Sequence, residues 1–181
     1  MEPFLEEIVA TFDSAIYSTA LASALIVPDA AGAIEYPRAR GSRLPSNRER
    51  YVAWFDSWVG SPPLPGGQHQ LDGAFVWKLR NMMMHETALD FEEYGFHRVI
   101  FSLPNRQRIQ IDMAAMHHMG PQKESALNLD LAIFIGRIIE SCRRWLASVQ
   151  GDPNKLARMD GLIQLRPVGR APFIVGLPLI S

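Results

Sequence analysis

The side chains best suited to chemistry in this 181-residue chain fall in one short run, Arg80-Asn81-Met82-Met83-Met84-His85. A histidine with an unperturbed pKa near ~6.5 gives or takes a proton close to neutral pH. An arginine stays protonated and offers a planar fork matched to phosphate or carboxylate. Asn81 falls one helical turn before His85, within reach of its imidazole or of an anion that Arg80 holds. On a helical wheel Leu71, Phe75, Leu79, Met82 and Leu89 make one apolar stripe. Arg80, Asn81 and His85 share the opposite face with Gly73, Ala74, Trp77, Met84 and Ala88. A solvated face would not carry Trp, Met and small residues around such a set. The helix is therefore two-sided, with one stripe for the core and another for a second helix or a second subunit.

Other reactive residues fit bland roles better. His117-His118 are adjacent, so on an extended chain they point to opposite faces, and no second ligand pair at metal spacing joins them. Met82, Met83, Met84, Met113, Met116 and Met119 suit adaptable packing. Cys142 lies within an apolar helical stripe and reads as a buried, inert thiol; as the only cysteine it excludes an internal disulfide framework. There is no phosphate-binding Gly-rich loop and no Ser nucleophile motif, so neither metal nor cofactor is expected.

The run from Leu79 to Glu86 resembles the Arg-polar-x-x-x-His motif of HEPN domains, α-helical domains in which the residue after Arg is commonly Asn, Asp or His. The resemblance covers roughly residues 3–149. It implies a homodimer that sets two motif helices face to face across a cleft, and, in many such domains, a metal-independent endoribonuclease. On that reading the ribose 2′-hydroxyl supplies the nucleophile, His85 transfers protons, Arg80 holds the scissile phosphate, and Asn81 orients one or the other. A non-catalytic version is also implied, in which the same face dimerises or docks a partner such as an antitoxin or nucleotidyltransferase-type protein. A structural domain is the third alternative.

Several elements must position this helix. Residues 3–26 show helical spacing at Phe4, Leu5, Ile8, Val9, Phe12, Ile16, Ala20 and Leu25, with Pro28 expected to close the helix. A long loop is expected over 27–45. Ser46-Asn47-Arg48-Glu49 spells a capping box for a helix over about 47–60, rich in aromatics. Gly60 to Gly67 breaks the chain, and the motif helix follows over about 70–90. Alternation across His97–Leu103 and Arg108–Met113 predicts a β-hairpin within 96–114, and the next helix is expected over about 124–149. The sequence thus predicts a mainly α fold: an up-and-down bundle of about four helices over 1–150 with an inserted hairpin, then an extended segment over 151–181 packed on the same domain.

Composition bounds the partners. Nineteen acids against 18 bases give a formal charge of −1, which argues against a purely electrostatic nucleic-acid binder. Yet only Lys78, Lys123 and Lys155 are lysines, and Arg38, Arg40, Arg43, Arg48 and Arg50 cluster against one acid, Glu49. Arg38, Arg40 and Arg43 are candidate RNA contacts if their loop folds over the motif cleft. The N-terminus has no positively charged leader pattern, and the uncharged stretch Ser14–Val27 is too short to span a bilayer, so a cytoplasmic protein with no membrane contact is expected.

Overall fold

The computed structural model describes residues 1–37, 45–65, 67, 69–85, 91–104, 114–119, 124–162, 165–166, 169–172, 174–176 and 179–180. Among these residues six α-helices run, α1 (Glu2–Asp13), α2 (Tyr17–Glu35), α3 (Asn47–Trp58), α4 (Gly73–His85), α5 (Leu131–Val149) and α6 (Pro153–Asp160). The mainly helical architecture with a small β insertion matches the sequence expectation. Its centre is α2, which packs on α1, α3, α4, α5 and α6.

The first expected helix is two helices. Backbone N–H groups of Ala15 and Ile16 donate to Phe12 and Thr11 carbonyls at 2.9 and 3.1 Å, the paired bonds of a Schellman stop. Ala15 takes the left-handed conformation, φ 60°, that glycine usually supplies, so no glycine flagged the break. Nor does Pro28 close a helix: it lies buried inside α2, and residues 27–35, expected as loop, continue the helix. Proline removes one ladder N–H and crowds the preceding turn. The ladder acceptor that loses its donor is the Ala24 carbonyl, and at the neighbouring Leu25 carbonyl the Tyr51 hydroxyl of α3 donates at 3.1 Å, tying this turn to α3. By length and composition α2 could cross a membrane, but half of that stretch is buried inside the fold.

The capping box of α3 forms as read: Ser46 Oγ accepts from the Glu49 N–H at 3.1 Å, and Glu49 Oε2 accepts from the Ser46 N–H at 2.6 Å. Two close approaches lock α3 between its neighbours. A Cβ on Gly32 of α2 would lie 2.6 Å from the Arg50 carbonyl oxygen, and one on Gly73 of α4 would lie 2.7 Å from Val52 Cα. Both glycines are needed for backbones to pack this tightly. At the other end of α3, Arg144 donates to the Trp58 carbonyl at 3.0 Å and Arg137 to the Val59 carbonyl at 3.3 Å, cations on a helix C-terminus.

The β insertion departs from the expected pattern. Strand β1 (Arg98–Ser102) forms, but its described partner is β3 (Glu124–Asp130), parallel, with Arg98 opposite Ala126 and Ser102 opposite Asp130. Strand β2 (Ala114–Met119) pairs antiparallel on the other side of β3, giving the order β1-β3-β2. The return strand expected at Arg108–Met113 lies outside the described residues. Residues 124–130, expected as helix, are the central strand. Leu127, Asn128 and Leu129 are all buried, and a strand covered on both faces loses the alternation that marks it. Asp130 then caps α5, its carboxylate accepting from the Ile133 N–H at 2.9 Å.

The tail is not wholly extended. Asp152 caps α6, which docks on α2 through Lys155 to Glu35 at 2.8 Å and Arg158 Nε to the Ile34 carbonyl at 3.0 Å. Beyond it, β4 (Leu165–Arg166) pairs with β7 (Leu179–Ile180), and β5 (Gly169–Arg170) with β6 (Ile174–Val175).

Candidate functional site

Of the expected apolar stripe, Leu71 just before α4, then Phe75, Leu79 and Met82, are buried, and Val76 joins them, while Leu89 lies outside the described residues. Phe75 is surrounded by Phe91, Tyr94 and Phe96 from the segment after the helix, at centroid distances of 5.1–6.1 Å. These contacts fix the helix in rotation and thereby set where its other face looks.

Within the chain, that other face is largely taken by two helices, α3 and α2. Gly73 lies against Val52, and the Trp77 ring meets Tyr51 edge-on at 5.1 Å. Arg80 reaches across to α2: its Nε and Nη2 both contact Asp29 Oδ2 at 3.0 Å. Its Nη1 donates to Asn81 Oδ1 at 3.0 Å, and its guanidinium sits 5.3 Å from the Trp77 ring centroid. Arg80 and Asp29 are mostly covered, with side-chain exposures of 20% and 23%. Met83 and Met84, by contrast, are exposed near the C-terminal end of the helix. Among the described residues, the part of this face left uncovered by α2 and α3 is therefore narrower than the sequence suggests and lies toward the C-terminal end of α4. His85 is the last residue of α4, so the five-residue step from Arg80 places it about 7.5 Å further along the axis.

Arg50 of α3 completes the cluster. It acts electrostatically on the same Asp29 carboxylate, donates from Nη2 to Asn47 Oδ1, and keeps a buried Nε with no hydrogen-bond partner among the described residues. Two guanidiniums thus flank one carboxylate. Burial pushes the Asp29 carboxyl above its usual range, outweighing the pull of Arg80 and Arg50. Burial likewise pushes the Tyr51 phenol well up, so it stays a neutral donor to Leu25.

The structure thus joins Arg80 to Asn81 directly and puts His85 on the same helix. Arg38, Arg40 and Arg43 lie outside the described residues. Asp29 and Arg50 were not singled out as site residues from the sequence. Asp29 is the only charged residue between Ser14 and Ile34, and a lone acid buried in an apolar helix requires a partner; the signal was hidden because Pro28 made 27–45 read as a loop. Elsewhere, His97 Nδ1 and Ser125 meet at 3.2 Å, but the Ser125 hydroxyl can donate to the Gly95 carbonyl and its N–H donates to His97, so the contact closes the start of the β1–β3 ladder. No cluster of three or more His, Cys, Asp or Glu suited to a metal occurs among the described residues. Compared with known proteins, the chain matches no family model, no curated protein and no solved structure.

Proposed function

We propose that the protein is a HEPN-like homodimer that cleaves RNA without a metal, with Arg80, Asn81 and His85 of each subunit at the shared cleft. The observation that carries this reading is the Arg80–Asn81 contact on the helix that ends at His85, beside a second guanidinium, Arg50. That arrangement supplies an anion-binding group and a proton-transfer group on one helix. RNA brings its own nucleophile. One His85 takes the proton of the ribose 2′-hydroxyl as its oxygen bonds to phosphorus. The phosphorus–5′-oxygen bond breaks, and the other His85, protonated, gives that oxygen its proton. The products are a 2′,3′-cyclic phosphate and a 5′-hydroxyl. Arg80 neutralises the charge that develops on the phosphoryl oxygens. Arg38, Arg40 and Arg43 grip flanking phosphates.

The test compares RNA cleavage by the wild type and His85→Ala with a chelator present. The expected outcome is chelator-resistant cleavage that falls by about 100-fold or more in the variant. Equal cleavage by both proteins, or none by either, overturns the ribonuclease reading. The non-catalytic reading, a module that dimerises or binds a partner, is favoured by one observation: Arg80 is already held in an ion pair within its own chain.

A further inference from the structure

We propose that Asp29 of α2 is a positioning residue that fixes the Arg80 guanidinium so that its remaining N–H groups present to a phosphate. The inference rests on the RNA-cleaving reading above and extends it to a residue outside the motif. A guanidinium has five N–H donors in one plane. Asp29 Oδ2 takes the edge formed by Nε and Nη2, and Asn81 Oδ1 takes one donor of Nη1. Among the described residues, at least one N–H on each Nη has no hydrogen-bond partner. The guanidinium carbon lies over the Trp77 ring, 5.3 Å from its centroid, which restrains the group from that side. The guanidinium is therefore held by Asp29, Asn81 and Trp77 together, and its remaining donors have one orientation in place of the many rotamers open to an unpaired arginine.

Two further observations separate positioning from simple helix pairing. Burial raises the Asp29 carboxyl despite two nearby guanidiniums, so the carboxylate is held at a cost in free energy, which apolar side chains joining α2 to α4 would avoid. Second, Arg50 acts on the same carboxylate and its buried Nε has no hydrogen-bond partner among the described residues, so within that set two guanidiniums face one carboxylate and the cluster keeps a net positive charge. Asp29 therefore orients Arg80 without cancelling the attraction for an anion. Such an outer contact acts on the transition state through the group it holds, with typical effects of about 10–100-fold.

The experiment uses full-length protein, Asp29→Asn and Asp29→Glu. Cleavage of an RNA oligonucleotide is measured together with the nitrogen-15 NMR signal of Arg80 Nε, assigned by its loss in Arg80→Lys. An all-deoxy oligonucleotide, which lacks the 2′-hydroxyl, serves as the uncleaved probe. In the wild type the Nε signal is protected from solvent exchange and shifts on adding the probe. In Asp29→Asn it loses protection, and kcat falls about 10–100-fold with KM changed far less. Asp29→Glu, which keeps the charge, recovers part of kcat. Wild-type kcat in Asp29→Asn, or an unchanged Nε signal, overturns the proposal. A loss of kcat that Asp29→Glu does not relieve, accompanied by loss of the folded NMR spectrum in both variants, assigns Asp29 to structure alone and also overturns it. If the wild type cleaves nothing, the RNA-cleaving reading fails by itself, and positioning is then decided with inorganic phosphate as probe. A wild-type Nε shift that Asp29→Asn abolishes sustains positioning, and no wild-type shift overturns it.

Discussion

Ala15 shows how one residue hides a structural break. Its backbone occupies the left-handed region, where a Cβ costs about 1–2 kcal/mol, while the Schellman bonds around it end α1. Glycine at this position removes the steric cost but adds freedom to the unfolded chain. Ala15→Gly is expected to stabilise the protein by up to about 1 kcal/mol, read from urea denaturation midpoints at constant slope. A lower midpoint would show that the turn is held by other means. The same residue-scale logic applies to Arg80. Its type and its spacing from His85 were legible in the sequence, whereas its partner Asp29 lies 51 positions away, in a stretch that reads as the start of a loop.

At the scale of elements, α2 is held by charged contacts with opposite pH behaviour. Glu35 at its C-terminal end is subject to burial, which raises its pKa. The Lys155 ammonium and the Trp145 indole N–H, both at 2.8 Å, outweigh that and lower it below the usual 4.5. Its contribution to stability is therefore present above about pH 4.5 and is lost as pH falls through the lowered value. Asp29 runs the other way: its raised pKa favours the folded state at low pH, and that contribution is lost as pH rises through the raised value. The expected outcome is that α6 loosens from α2 on acidification below pH 4.5, seen as faster amide hydrogen exchange in residues 153–160 relative to the Glu35→Gln variant, whose α6 exchange should be pH-independent after correction for intrinsic rates. Equal pH trends in both proteins would remove Glu35 from the dock. Helix α6 escaped the sequence reading because it is short, polar and has no core stripe; its signal was the cap, Asp152-Pro153.

For the whole molecule, Cys142 is a natural reporter. It lies fully buried on α5, and burial pushes its thiol up to about 12, so almost no thiolate exists at neutral pH. Labelling by a thiol reagent is expected to be negligible in native buffer and to rise only with global unfolding in denaturant. Rapid labelling of the folded protein would mean that α5 opens on its own. Apolar spacing alone placed this residue in the core.

The sequence by itself determined the helical class, the capping box that starts α3, the buried stripe of α4 and the spacing of Arg80, Asn81 and His85. These are local properties, set by periodicity and by caps a few residues apart. Tertiary structure decided the rest. Residues 124–130 became a strand because neighbours cover both faces and pair both edges, and Pro28 sits inside a helix alongside the Tyr51 hydroxyl of α3. The Arg80 guanidinium faces Asp29 because Gly32 and Gly73 let α2, α3 and α4 approach closely. Such contacts depend on segments distant in the chain, whose joint burial no local pattern encodes.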